Sequence, residues 1–392
     1  MYNVLQVSDL QCFGCGVCSL ACHTKAIQIS PNQDGYYKRH IDTSLCINCG
    51  KCLSVCPSTS SAPPFKYSPA YVAYCKNTED VLKSSSGGIA FAIAKTYLAL
   101  GYTIIGATWS RDFRRVEHIV IATESQLDCL RKSKYVQSYT VDAFSAISAL
   151  KNVVVFGTPC QIAGLRKLYP NRGDLLLIDF ECMGPSGLLM WHKYLTHLYS
   201  INSSGIQSIQ MRNKRKSWMR YGIQIVFQDG EIYYNDKFHD PFCILYHFGK
   251  MIQPTCLEKC PYLLSSDADL RIADAWNYTD SFEKIEVRNG LSLITPQTEK
   301  GVDILTEIHD QLVIHRVTQN ISHTAFTHQT QPELWDSLHK PDKSILDVIN
   351  LYNSVPLTKR FLRNISYFLS SNDTIYLSIK KLLRILRILK SK

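Results

Sequence analysis

Two runs of cysteine constrain this chain more than any other feature. They read Cys12-x2-Cys15-x2-Cys18-x3-Cys22 and Cys46-x2-Cys49-x2-Cys52-x3-Cys56, the second followed by Pro57. Thiolates at this spacing are ligands for cubane iron–sulfur clusters. Three cysteines two residues apart wrap one corner of a cluster, and the fourth reaches its neighbour. The spacing predicts one 4Fe-4S cluster on Cys12, Cys15, Cys18 and Cys56 and a second on Cys22, Cys46, Cys49 and Cys52. The competing reading is a pair of structural zinc sites. Zinc ribbons, however, carry separated C-x2-C pairs, not complete four-cysteine runs. His23 stands where the first run would carry its proline. It either donates to a cluster sulfur or is a tolerated exposed residue.

The segment resembles the two-cluster bacterial ferredoxins. The whole chain holds 15 cysteines in 392 residues. An oxidising compartment would pair such thiols, and a reducing one would leave them for metal. The opening MYNVLQVSDL lacks a charged region followed by an apolar run, and no stretch is long and apolar enough to span a bilayer. The expectation is a cytoplasmic protein that uses its cysteines for metal. A hydrophobic fraction of 45% with 19% charged residues excludes a disordered chain. A formal net charge of +10 fits a basic, soluble surface. It equally fits an anionic partner: a dinucleotide cofactor, an acidic electron carrier or a membrane surface.

The predicted fold is an α+β ferredoxin-like two-cluster module, then an α/β domain, then a helical C-terminal tail. The predicted limits are 1–60 for the module, 61–69 for a Ser/Pro-rich linker, 70–316 for the body and 317–392 for the tail. In the body, Ile89–Leu100 reads as a helix closed by Gly101, and Tyr102–Trp109 and Val116–Thr123 read as strands. Asp142–Lys151 reads as a helix. Val153–Phe156, Cys160–Leu168 and Leu175–Phe180 read as a βαβ unit whose strands are buried on both faces. A helix over Leu188–Leu198 follows, then strands at Ile206–Arg212, Tyr221–Phe227 and Glu231–Tyr234, the last two joined by an Asp-Gly hairpin turn.

Several stretches carry candidate chemistry. Ser84–Gly88 is either an anion-binding loop at a helix start or an ordinary serine-capped helix. Cys160 and Cys182 follow two buried strands, where an open α/β sheet places its ligand crevice. With Cys256 and Cys260 they either bind a third cluster or are separate buried thiols. Cys75, Cys129 and Cys243 read as core thiols. Arg212, Lys214, Arg215, Lys216 and Arg220, with Trp218 among them, form the densest basic cluster. No nucleic-acid module accompanies it, so an anionic substrate or cofactor, or an exposed face, is expected instead. Residues 375–392 form a basic amphipathic helix by spacing, suited to peripheral membrane contact, a partner, or the chain's own body.

The body resembles the beta-subunit family of coenzyme F420-reducing hydrogenases and dehydrogenases. The stretches that carry the resemblance are KSSSGGI at 83–89, LRKSKYVQS at 130–138, FGTPCQIAGLR at 156–166 and DFECMGPSG at 179–187 with Trp191 and Tyr194. Residues 212–218, 253–262 and IADAWN at 272–277 complete it, so roughly residues 5–300 are covered. The resemblance implies that the α/β domain is a flavin-binding domain holding FAD, with an additional 4Fe-4S cluster on Cys160, Cys182, Cys256 and Cys260. It places Ser85, Ser86, Gly87 and Gly88 at the flavin diphosphate and Ser133, Lys134 and Tyr135 in the flavin pocket. Thr158 and Gln161 fall at the isoalloxazine edge.

Met183 replaces the family's usual histidine, and Cys256-x3-Cys260 replaces its usual C-x2-C pair. Residues around Asp274 and Trp276 also depart from the usual motif. No catalytic group is assigned; Asp274 and His192 are candidates, with structural roles as the alternative. The expected activity is that of an iron–sulfur flavin-dependent oxidoreductase. Electrons from a ferredoxin or a redox enzyme subunit would pass through FAD to a small organic substrate in polysaccharide or cofactor metabolism. The alternatives are an electron-transfer subunit serving a partner protein and a coenzyme F420 oxidoreductase.

Overall fold

The computed structural model describes residues 2–59, 63–66, 69–257, 260–278, 282–317 and 331–354. Strands are numbered in chain order. In the cysteine-rich module, β1 (Ile27–Pro31) and β2 (Tyr37–Ile41) form an antiparallel hairpin. The body opens with β3 (Ala70–Cys75), β4 (Thr103–Trp109), β5 (Val116–Ile121), β6 (Ser138–Tyr139), β7 (Val153–Gly157) and β8 (Leu175–Phe180). A separate antiparallel meander follows, made of β9 (Ile206–Asn213), β10 (Gly222–Phe227) and β11 (Ile232–Asp236). The chain then returns as β12 (Leu270–Asp274), β13 (Ser292–Pro296) and β14 (Leu312–Val317). Among the described residues the main sheet has nine strands, in the order β14-β3-β13-β12-β8-β7-β4-β5-β6.

The middle of this sheet, β12-β8-β7-β4, is parallel. All five residues of β7 are buried. Val153 and Val155 pack with Phe144 of helix Val141–Ala146 and with Ile162 and Leu165 of helix Pro159–Leu168. Val154 and Phe156 pack on the other face, with Ile89 and Ile93 of helix Ile89–Ala99 and Ile304 of helix Glu299–Glu307. A strand covered on both sides needs no polar alternation, so its unbroken apolar run was legible. The expected βαβ unit is present, with β7 and β8 parallel and Val153 opposite Leu175.

Sequence reading missed β1, β2, β3, β6, β12, β13 and β14. For β12 the cause is physical. Arg271 sits in that strand at 2% exposure and pairs with Asp179 of β8, its register partner, at 2.7 Å. Charges buried in pairs mimic a surface segment.

The linker expectation needs correction where the chain is described. Phe65 is buried, its N–H donates to the Leu264 carbonyl at 3.0 Å, and Lys66 N–H donates to Gln297 at 2.8 Å. The expected 142–151 helix ends at Ala146. Helices Pro332–His339 and Ile345–Asn353 bear out the helical tail in the described part, and both pack into the core around Trp191 and Tyr194. The amphipathic segment 375–392 lies outside the described residues. No helix among the described residues is long and apolar enough to cross a membrane.

The cysteine module docks on one face of the sheet. Cys15, Val17 and Val55 join the same apolar cluster as Ile162 and Leu165. Gly164 makes the approach possible, since a Cβ there would lie 2.8 Å from Val17 Cγ2.

Candidate functional site

The two C-x2-C-x2-C loops share one backbone device. Gly14 (φ 70°) and Asn48 (φ 53°) are left-handed at one position, and Gly16 (φ 80°) and Gly50 (φ 77°) at the next but one. Such alternation turns successive N–H groups toward one hollow, the nest geometry that favours an anionic cluster. Cys12, Cys15, Cys18 and Cys56 line a common cavity with Val4, Phe13 and Arg39. In the other set, Cys22 lies near enough to Cys52 to help raise its pKa, after burial. Burial and then the neighbouring thiols push Cys15 and Cys18 up, so bound metal must displace their protons. The donor chemistry and the nests fit cubane clusters. Among the described residues, no three or more His, Cys, Asp or Glu side chains gather tightly enough for a single ion.

Groups of the body hold the first of these sets. Gln137 accepts from Tyr37 N–H at 2.6 Å and donates to the Phe13 carbonyl at 3.0 Å. Gln253 donates to the Cys12 carbonyl at 3.0 Å, Thr140 to that of Cys15 at 2.9 Å, and Tyr262 to that of Pro57 at 3.0 Å.

Cys160, Cys182, Cys256 and Cys260 come together. Burial raises the Cys160 thiol, and Cys15, Cys182 and Cys260 add to it. Burial likewise raises Cys256, with Cys182, Cys260 and Cys160 adding. Cys182 is pushed up to about 11, mainly by burial. Gly184, at φ 101°, lets Cys256 close in, since a Cβ there would lie 2.7 Å from the Cys256 Cβ. Cys160 and Cys260 pack with Phe13 and Tyr262 in one small apolar cluster. This set therefore adjoins the module's Cys15.

A second centre collects cations. Ser85 and Ser133, from two separate expected motifs, meet at 3.0 Å. Ser86 donates to the Leu291 carbonyl and Gly87 N–H to Ser292, so both are engaged by the protein itself. Gly87 is needed because a Cβ would lie 2.5 Å from the Ala73 carbonyl oxygen, and Gly88 (φ 91°) caps helix Ile89–Ala99. Beside them, Lys132 donates to the Leu82 and Ser84 carbonyls and is pushed down to about 7, mainly by burial. Lys134, pushed down to about 8 by burial, donates to the carbonyls of its own loop at Leu130, Arg131 and Lys132. Lys214 donates to the Ser86 carbonyl at 2.9 Å and is pushed down to about 6, by burial first and then by Lys132 and Arg212. Arg212 pairs with Asp274 at 2.7 Å, while its buried Nε and Nη2 have no hydrogen-bond partner. Tyr221 lies under the Arg212 guanidinium at 4.6 Å and contacts His247 Nε2 at 2.9 Å. Tyr135 stacks on Tyr246 at 4.6 Å, and Tyr246 donates to the Gly184 carbonyl at 2.8 Å. An orphaned guanidinium among crowded lysines and aromatic rings fits an anionic, planar cofactor.

Other expectations are redistributed. Gln161 accepts the Thr158 N–H at 2.9 Å and donates to Ser138 at 3.0 Å, so this pair caps helix Pro159–Leu168 instead of offering free groups to a ring. Asp274 is held by Arg212 and by Trp218 Nε1, and His192 contacts the Arg114 carbonyl. Trp218 is fully buried and stacks on Trp276 at 4.1 Å. Of the basic cluster, Arg212 and Lys214 turn inward, while Lys216 pairs with Asp236. Cys75 and Cys243 are buried as expected, but Cys129 is exposed. Lys132, Tyr221 and His247 were not singled out from sequence. Only the Lys-Ser-Lys pair at 132–134 hinted at the first.

Residues 150–320 match the family model for the C terminus of the coenzyme F420 hydrogenase/dehydrogenase beta chain. Residues 11–60 match the 4Fe-4S dicluster domain. The coenzyme F420-dependent sulfite reductase of Methanocaldococcus jannaschii is 34% identical over 179 residues, which are 42% of this chain and 27% of that protein. The chain thus spans about a quarter of that relative's length. A chain of the xenon-derivatised F420-reducing [NiFe] hydrogenase complex from Methanosarcina barkeri aligns over 75% of this chain and 94% of its own. Its TM-score is 0.44 at 18% identity. At residues 150–320 the chain therefore carries a domain similar to the C terminus of the coenzyme F420 hydrogenase/dehydrogenase beta subunits, with a 4Fe-4S dicluster domain ahead of it at residues 11–60.

Proposed function

We propose that the chain is an iron–sulfur oxidoreductase that moves electrons between 4Fe-4S clusters on its cysteines and FAD held at Lys132, Lys134, Arg212 and Lys214, with a small organic molecule as substrate. One observation carries this reading. The set Cys160, Cys182, Cys256 and Cys260 adjoins the module's Cys15 on one side. On the other side the Gly184 carbonyl, two residues past Cys182, accepts from Tyr246, which stacks on Tyr135 beside the cations. Bound clusters would supply electrons singly, and a bound flavin would pair them into a hydride equivalent. The protein's own residues position and neutralise. Arg212 and the three lysines balance ligand charge, Tyr135 offers a ring face, and the tied carbonyls of Cys12, Cys15 and Pro57 keep the module seated. An external electron carrier or redox subunit would approach at Cys49, the exposed thiol of the module.

The named relatives favour a second reading, in which coenzyme F420 is the organic redox partner and the chain works as part of a larger complex. Anaerobic purification followed by visible spectroscopy separates the two. FAD released on denaturation, with bleaching by dithionite, supports the first. Rapid reduction of the clusters by reduced coenzyme F420 supports the second. Protein holding clusters but neither binding FAD nor responding to reduced coenzyme F420 would overturn both and leave a one-electron relay.

A further inference from the structure

Burial works against placing an electron on the set Cys12, Cys15, Cys18 and Cys56. Cys15 is buried, and the cavity these thiols line is walled by Val4, Val7, Phe13 and Pro57. Negative charge added there forfeits the solvation it would have at the surface. The set Cys22, Cys46, Cys49 and Cys52 also has one buried member, Cys52, but it reaches water through the exposed Cys49 and the half-buried Cys46. With burial alone, an electron would rest on the outer set and not move inward.

Three cations oppose that bias. Lys38 and Arg39, both on β2, are 6% and 9% exposed. Lys38 Nζ donates to the Cys12 carbonyl at 2.6 Å and to that of Asp9 at 2.8 Å. Arg39 lines the cavity itself, donates to the Val4 and Val7 carbonyls, and pairs with the exposed Asp9 carboxylate. Lys167, on the body helix Pro159–Leu168, donates to the Cys56 carbonyl at 2.8 Å. All three therefore converge on one set. Near the outer set, Lys25 and Lys51 are exposed, where water and salt screen them. Asn3 and Thr24 offer only neutral contacts to the Cys46 and Cys22 sulfurs, both at 3.5 Å. A full charge in a low-dielectric site outweighs a neutral dipole at similar range.

We propose that Lys38, Arg39 and Lys167 set the direction of electron flow, holding the inner set Cys12, Cys15, Cys18 and Cys56 reducible in spite of its burial, so that an electron arriving at Cys49 from a one-electron donor passes inward toward Cys160. The inference rests on the reading above that both sets carry 4Fe-4S clusters. The transfer takes one electron from the outer set and gives it to the inner one, with no bond made or broken.

The test is a redox titration of the anaerobic holoprotein followed by paramagnetic resonance, for the unaltered chain and for Lys38→Met, Lys38→Arg and Lys167→Met. Iron and sulfide are counted first, and Cys49→Ala identifies the outer signal. The inner potential is expected to drop in Lys38→Met and in Lys167→Met while the outer one holds. Lys38→Arg should keep the original value. Should Lys38→Met fail to fold, Lys167→Met carries the test, since its half-buried side chain lies on a helix of the body. Potentials that stay put, that move together, or that shift only at the outer cluster would overturn the inference. Missing iron and sulfide in the unaltered chain would instead remove the reading beneath it.

Discussion

Lys214, Lys132 and Lys134 are held down to about 6, 7 and 8, chiefly by burial. An unfolded lysine titrates near ~10.4. Between those values the unfolded chain binds more protons, so stability without ligand rises with pH across that window and is lost as pH falls through the folded values. An anion bound among these lysines raises them again and takes up protons. The expectation is that affinity for FAD weakens as pH rises from roughly 6 to 9. Calorimetry in two buffers of different ionisation enthalpy should show proton uptake near pH 8. An affinity flat across this range, with no uptake, would exclude the lysines as the anion site. Lys134 was legible because it stood in a recognisable stretch. Lys38 and Arg39 were not, since lysine and arginine in a strand ordinarily face water and nothing in the sequence says that a cluster cavity lies behind them.

At the level of elements, two contacts decide whether the candidate sites are assembled. Helix Pro159–Leu168 must let the module approach, and Gly164 is the point of contact. A glycine-to-alanine change inside a helix usually gains about 1 kcal/mol. Here the added methyl meets Val17, so Gly164→Ala is expected to lose about 1–3 kcal/mol by overpacking. Combining it with Val17→Ala should recover part of that loss in a double-mutant cycle of denaturant unfolding. Additive losses would mean that the two residues do not touch. The β12–β8 pairing depends on Arg271 and Asp179. Arg271→Met strands a fully buried carboxylate and should cost about 3–5 kcal/mol, whereas Arg271→Met with Asp179→Leu should cost much less. Chemical denaturation of the two variants and the unaltered chain checks this. These elements also show what a sequence conceals. The apolar β7 and β8 could be read directly, and the helix over Ile89–Ala99 could be read from its spacing and Gly101. β12 could not, because its charges are satisfied only by a strand about 90 residues away in the chain.

At the scale of the molecule, each cysteine set adjoins the next: Cys52 of the outer set lies near Cys18, Cys15 near Cys160, and Gly184, two residues past Cys182, meets Tyr246, which stacks on Tyr135. Spacing was enough to predict the first two sets, because two complete four-cysteine runs match the ligand pattern of a two-cluster ferredoxin. The convergence of Cys160 and Cys182 with Cys256 and Cys260 needed the sheet, which brings the ends of β7 and β8 side by side. The docking of the module on the sheet face needed the structure altogether, since no sequence pattern announces that Thr140, Gln137 and Gln253 hold the carbonyls of Cys15, Phe13 and Cys12.

The central claim is that these thiols hold inorganic clusters. Quantifying iron, acid-labile sulfide and zinc in anaerobically purified protein, with paramagnetic resonance before and after dithionite, tests it most directly. The account predicts at least about eight iron and eight sulfide per chain, near twelve with Cys160, Cys182, Cys256 and Cys260 loaded, and signals that appear on reduction. Stoichiometric zinc, or metal-free protein that stays silent after reduction and attempted reconstitution, would contradict it.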